Sequence, residues 1–276
     1  MSTPPRLTDR AALARNRARA GRMGLADFLH RDVMDDLQER LAEVNRTFTA
    51  PAVVTGFPDL WRDLLPGARM VADDEVLDLD PGAHDLVIHA LCLHWADDPV
   101  GQIAQCARAL RPDGLFLAAL FGGRTLHELR ACLAEAEVEV TGGLSPRVLP
   151  MGDLRDLGAL VQRAGLALPV ADVVARRVMY RDALHLMADL RAMGEGNALA
   201  DRLRRPTGRT VLAKATARYQ AAFGMPEGRI PATFEIVHLA GWAPHDSQPR
   251  PLRPGSARSR LAEALGVPER PLPEGA

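Results

Sequence analysis

VADDEVLDLDPGAHDLVIHALCLHWADDPVGQIAQCARALRPDGLFLAALFGG, running from Val71 to Gly123, reads as strand, strand, helix and strand with a chemical marker at each join. The apolar run from Asp85 to Leu91 ends in the polar Leu93-His94-Trp95-Ala96-Asp97-Asp98. Such a run suits a parallel strand covered on both faces, with functional groups at its carboxyl end. Asp98 is placed to cap the next helix and Pro99 suits its first turn. Val100, Ile103, Ala107 and Leu110 then form one apolar stripe ahead of Arg111-Pro-Asp-Gly114, and Leu115 to Leu120 is the strand that follows.

Upstream, Val33, Leu37, Leu41 and Val44 mark a helix over Asp27 to Val44. Ala50 to Gly56 is a strand candidate, Pro58 to Leu65 a short helix and Ala68 to Ala72 the next strand. Only Thr55 to Met70 separates Val54 from Val71, whereas one strand–helix–strand unit takes roughly 30 residues. A doubly wound nucleotide fold has two units before its third strand, so one strand and one helix are expected to be missing from this half.

Downstream, Thr125-Leu-His-Glu128 has the form of a capping box ahead of Leu129 and Leu133. Thr141 to Arg147 is a loop by composition, and Asp153 to Ala164, closed by Gly165, is an amphipathic helix. A strand over Val170 to Tyr180, helices over Asp182 to Met193 and Gly208 to Phe223, and a strand over Ala232 to Gly241 complete the pattern.

The chain has 276 residues, 47% of them hydrophobic, enough for one sizeable core. A formal charge of -1 offers no global attraction to nucleic acid or to an anionic membrane. Without a run of about 18 apolar residues, no spanning helix is expected. Cys92, Cys106 and Cys132 have neither disulfide-framework nor zinc spacing, so buried free thiols in a reducing, cytoplasmic compartment are expected and no metal site is assigned. The Arg-rich start from Arg6 to Arg22 has the flavour of a transit peptide, but it contains Asp9 and no hydrophobic core. The expected division is a solvated leader over 1–26 whose order is left open, one domain over 27–257 with an inserted helical lobe over 182–225, and a tail over 258–276.

The joins carry a family resemblance. Leu93-His94-Trp95, Arg111-Pro-Asp-Gly114, Phe121-Gly-Gly-Arg-Thr-Leu-His-Glu-Leu-Arg130, Gly143-Leu-Ser-Pro-Arg147, Met193-Gly-Glu-Gly-Asn197, Pro231-Ala-Thr-Phe234 and Gly241-Trp-Ala-Pro-His-Asp-Ser-Gln248 with Arg250-Pro251 resemble class I S-adenosylmethionine-dependent methyltransferases. The branch they are most similar to is that of the mitochondrial and α-proteobacterial respiratory complex I assembly factors described as arginine hydroxylases. The resemblance implies an α/β, Rossmann-like fold with a mostly parallel sheet, helices on both faces and extra C-terminal helices. It implies S-adenosylmethionine as cofactor and a protein client, such as a complex I subunit, as partner.

Residue by residue, the resemblance assigns Gly56, Asp73 and His94 to the cofactor side. The family's glycine-rich turn lets backbone approach the ligand. Gly56 alone stands for it here, followed by the bulky Phe57-Pro58. Asp73 matches the acid that contacts the adenine amino group, or else is an exposed turn acid. His94 is either a site residue or a loop-packing histidine, and His89 reads as an interior hydrogen-bonded one. Trp95, Arg124, Arg147, Glu195, Asn197, His245, Gln248 and Arg250 are the candidates for substrate or partner contact. Two functional classes stay open: a client-binding assembly factor with a degenerate cofactor site, and an active methyltransferase or arginine hydroxylase acting on a protein side chain.

Overall fold

The computed structural model describes residues 6–249 and Gly266. Two helices, α1 (Arg10–Met23) and α2 (Phe28–Val44), precede β1 (Pro51–Thr55), the short α3 (Pro58–Trp61) and β2 (Arg69–Val71). Next come β3 (His84–Ala90), a 3-10 turn (Leu93–Trp95), α4 (Pro99–Ala109), β4 (Leu110–Gly122), α5 (His127–Thr141) and α6 (Leu154–Arg163). β5 (Ala167–Tyr180), α7 (Ala183–Ala192), α8 (Arg209–Phe223) and β6 (Ile230–Trp242) follow.

The six strands form one sheet in the order β2-β1-β3-β4-β6-β5. β2, β1, β3 and β4 pair in parallel and β6 runs antiparallel between β4 and β5. Alternation along the strands feeds two cores. Val53, Ile88, Leu117 and Phe121 face α2, α5, α7 and α8, whereas Val54, Val87, Phe116 and Leu120 face α4 and α6. The expected Rossmann-like sheet with helices on both faces is thus present. Outside β1 there is one strand, β2, reached through the four-residue α3.

The leader, whose order the sequence leaves open, holds α1, which Asp9 caps by accepting from the Ala12 N–H, and Leu13 on it is 1% exposed rather than solvated. Two local expectations are corrected. Arg111 to Gly114 belongs to β4, where a register shift opposite His84–Leu86 absorbs the extra residues. Finally, Thr125 and Glu128 form no capping box. Thr125 Oγ1 donates to the Gly122 carbonyl and accepts from the Glu235 N–H, while Glu128 accepts from the Thr233 hydroxyl. Strand β6 claims both residues, and α5 starts at His127 after Leu126 in the left-handed region.

The chain divides into a unit over Met1–Pro244 and another over His245–Ala276. In the second unit, His245 Nδ1 meets Ser247 Oγ at 2.7 Å and the Gln248 N–H donates to the His245 carbonyl. Arg250 and the expected tail, apart from Gly266, lie outside the described residues. Among the described residues no helix is long and apolar enough to cross a membrane.

Candidate functional site

Parallel α/β sheets gather ligands beyond the carboxyl ends of their strands. Here β1 runs out into Gly56, β2 into Asp73 and β3 into the turn holding His94 and Trp95, so the three cofactor-side candidates meet at one end of the sheet. A cavity of about 550 Å³ lies there, lined by Thr55, Gly56, Asp73 and Asp74 from the sheet and by Arg10, Leu13, Ala14 and Arg17 from α1.

Asp73 is 4% exposed, which rules out the exposed-turn reading. Both of its carboxylate oxygens are taken by Arg17, at 2.6 and 2.9 Å, and the Arg10 guanidinium reaches the same carboxylate and the Asp73 carbonyl. Burial opposes the charge of Asp73, but the Arg17 hydrogen bonds and the nearby positive charges outweigh it, and the carboxyl lies below its ordinary range. The Arg17 guanidinium also lies against Gly56, where a Cβ would overlap it, and stands 5.8 Å from the Phe57 ring centroid. Arg17 thus engages the Asp73 carboxylate and abuts Gly56, while the cavity stays open beside them.

α1 is held by its N-terminal approach as much as by its side chains. Asp97 accepts from the Leu7 and Thr8 N–H groups, the Thr8 hydroxyl donates to the Trp95 carbonyl, and Asp9 pairs with Arg202. Asp98 caps α4 through the Gly101 N–H, so the two adjacent acids serve different elements. His89 is the interior histidine expected, with Nε2 2.8 Å from Gln102 Oε1, and its burial lowers its pKa to about 4.

On the other side of the His94–Trp95 turn lies a second cavity of about 370 Å³, within the range of small-ligand sites. Phe121, Leu126, Leu129, Leu133, Met187 and Phe234 make its walls largely apolar, and Trp95, Arg147, Glu195 and Asn197 also line it. The structure thus brings four of the partner candidates together. The Glu195 side chain is 11% exposed and accepts from the Trp95 indole N–H at 2.8 Å, with His94 Nε2 at 3.3 Å from the same oxygen. Both contacts go to Oε2, and among the described residues none reaches Oε1. Burial penalises its charge, yet His94, Arg17 and Trp95 together keep the carboxyl below its ordinary range. Arg147 is locked by Glu137 and Thr207, and Asn197 donates to the Pro146 carbonyl.

His94 itself is tucked behind Glu195 against the Phe121 ring, with a centroid separation of 5.0 Å, and lines neither cavity. Arg124 is not brought in either: it is exposed, its N–H donates to Glu235, and its guanidinium meets His127. Arg10 and Arg17 are the residues that sequence reading missed. Their spacing of seven puts them on one face two helical turns apart, beside Leu13 and Ala20, and that period was the available signal.

A methyltransferase domain family matches residues 36–118. The arginine-hydroxylase NDUFAF5 of Danio rerio is 35% identical over 243 residues, covering 88% of this chain and 72% of that protein. Its Mus musculus counterpart is 41% identical over 72% of this chain, which spans 58% of the mouse protein's length. A malonyl-acyl-carrier-protein O-methyltransferase of Halorhodospira halophila is 33% identical, covering 74% of this chain and 67% of that protein. With its methyltransferase sheet and these relatives, the chain belongs to the class I methyltransferase superfamily, in the branch of the arginine-hydroxylase NDUFAF5 proteins.

Proposed function

We propose that the protein is an assembly factor that binds a protein client, a subunit of respiratory complex I, by a cationic side chain inserted into the 370 Å³ cavity, and that its S-adenosylmethionine site is degenerate. The observation that carries this reading is Glu195, an ionised carboxylate and the acidic residue of a cavity lining that also holds Arg147, Arg191 and Arg202, with Oε1 left over after Trp95 and His94 are served. An arginine side chain suits it, because its apolar stem matches the walls while its guanidinium pairs with the carboxylate. The name of the NDUFAF5 relatives points to the same side chain. The three free thiols suit a reducing compartment such as a bacterial cytoplasm.

The degenerate-site half rests on Arg17 holding Asp73 and abutting Gly56. A second reading, an active methyltransferase or arginine hydroxylase, is favoured by the 550 Å³ of space that remains beside Asp73. Titration of the protein with arginine-containing peptides, and with the same peptides carrying citrulline, tests the client half. The arginine peptides should bind and the citrulline peptides should not, and Glu195→Gln should abolish the difference. Equal binding of both peptides overturns it. Calorimetry with S-adenosylmethionine tests the other half, which a micromolar affinity would refute.

A further inference from the structure

The residues around Asp73 disagree with the cofactor their family would place there, and the disagreement identifies what they hold instead. We propose that α1 is an intramolecular ligand of the Gly56–Asp73 site, so that docked α1 and an S-adenosyl nucleoside exclude one another. This deepens, and rests on, the reading that the docked protein works without cofactor.

The placement is specific. Of the two arginines on this face of α1, Arg17 makes a two-pronged pair with Asp73 while Arg10 bridges Asp73 and Asp74. Four α1 residues form one wall of the cavity whose opposite wall is Thr55, Gly56 and Asp73, so withdrawal of α1 would open the carboxyl ends of β1 and β2. Charge and packing both hold the seat. Ala12 and Leu13 are buried with Trp95, Leu149, Ala198 and Leu199. Arg10 and Arg17 engage Asp73, and Asn16 donates to the Gly196 carbonyl, while ahead of the helix Leu7 and Thr8 donate to Asp97 and the N-cap Asp9 pairs with Arg202. Among the described residues Arg17 Nε is buried with no hydrogen-bond partner, so the guanidinium is seated at a cost.

The probe is S-adenosylhomocysteine, titrated calorimetrically into the wild type and into the double variant Arg10→Ala/Arg17→Ala, with hydrogen exchange of residues 10–23 followed in parallel. The expected result is no measurable binding by the wild type, and binding by the folded double variant at least roughly tenfold tighter than the detection limit, with α1 deprotected. A folded double variant that binds no better than wild type overturns the proposal and leaves the cofactor-free reading standing. Wild-type binding accompanied by loss of α1 protection overturns that reading and upholds mutual exclusion. Wild-type binding with α1 still protected overturns both. If the double variant does not fold, Arg17→Gln takes its place, since a shorter neutral amide vacates Asp73 with less lost packing, and the same outcomes apply.

Discussion

Glu137→Gln is expected to loosen the wall of the 370 Å³ cavity and to reveal the loss as a pH-dependent stability. Glu137, on α5, is 5% exposed and accepts from Arg147 Nε and Nη2 at 2.9 and 2.6 Å and from the Ser145 hydroxyl at 2.7 Å. Arg147 in turn donates to Thr207 Oγ1 at 2.7 Å, so one carboxylate ties the loop after α5 to the segment ahead of α8. The Arg147 hydrogen bond, assisted by Ser145 and opposed by burial, brings the carboxyl from 4.5 to about 2. At about 1.4 kcal/mol per unit the carboxylate contributes about 3 kcal/mol near neutral pH. Because the folded value is the depressed one, that contribution is complete above about 4.5 and is lost as pH falls toward about 2. Urea unfolding of wild type and Glu137→Gln should therefore differ by about 3 kcal/mol near pH 7 and by only about 1 kcal/mol near pH 3. Adding Arg147→Met should recover part of the loss, since the uncompensated guanidinium goes with it. A difference below about 1 kcal/mol near neutral pH, or one that does not change with pH, would refute the reasoning and mark the pair as solvent-screened.

Two further outcomes are expected. Leu13→Ala should cost about 2–4 kcal/mol, because Leu13 is packed with Trp95, Leu149 and Leu199 and its loss leaves a cavity beneath α1. Thermal unfolding within about 1 °C of wild type would show α1 to be undocked in solution. The thiols should be silent to a disulfide reagent near pH 8 until urea is added, since burial raises all three and holds even Cys132 at about 11. Rapid labelling of the native protein would contradict their burial.

The fold was legible wherever burial follows chain order. The apolar run of β3, the Asp98–Pro99 start of α4 and the stripe ending at its last turn are local patterns, and each became the element expected within one or two residues. Boundaries failed where a distant strand competed for a local signal. Thr125 and Glu128 have capping-box chemistry, but β6 lies more than 100 residues away and offers the Glu235 N–H and the Thr233 hydroxyl in geometry that α5 could not match. Arg111 to Gly114 stands ahead of the strand expected over Leu115 to Leu120, yet the Asp113 N–H donates to the Ala243 carbonyl just past the end of β6, and the segment extends β4.

The candidate site divides along the same line. Gly56, Asp73, His94 and Trp95 sit at the carboxyl ends of successive strands, so sequence order and the parallel sheet together bring them to one place. The chain by itself determined the strand–helix alternation, the short crossover between β1 and β2, and the identity of the acids and aromatics at the joins. Only the tertiary structure decided what those acids face. Asp73 meets Arg17 from 56 residues upstream, and Glu195 meets Trp95 from 100 residues away. The free energy of a buried charge depends on the partner that folding brings within hydrogen-bonding distance, and composition is blind to that distance. The same arginines that read as a solvated leader are, once α1 packs beside the carboxyl ends of β1 and β2, the groups that hold Asp73.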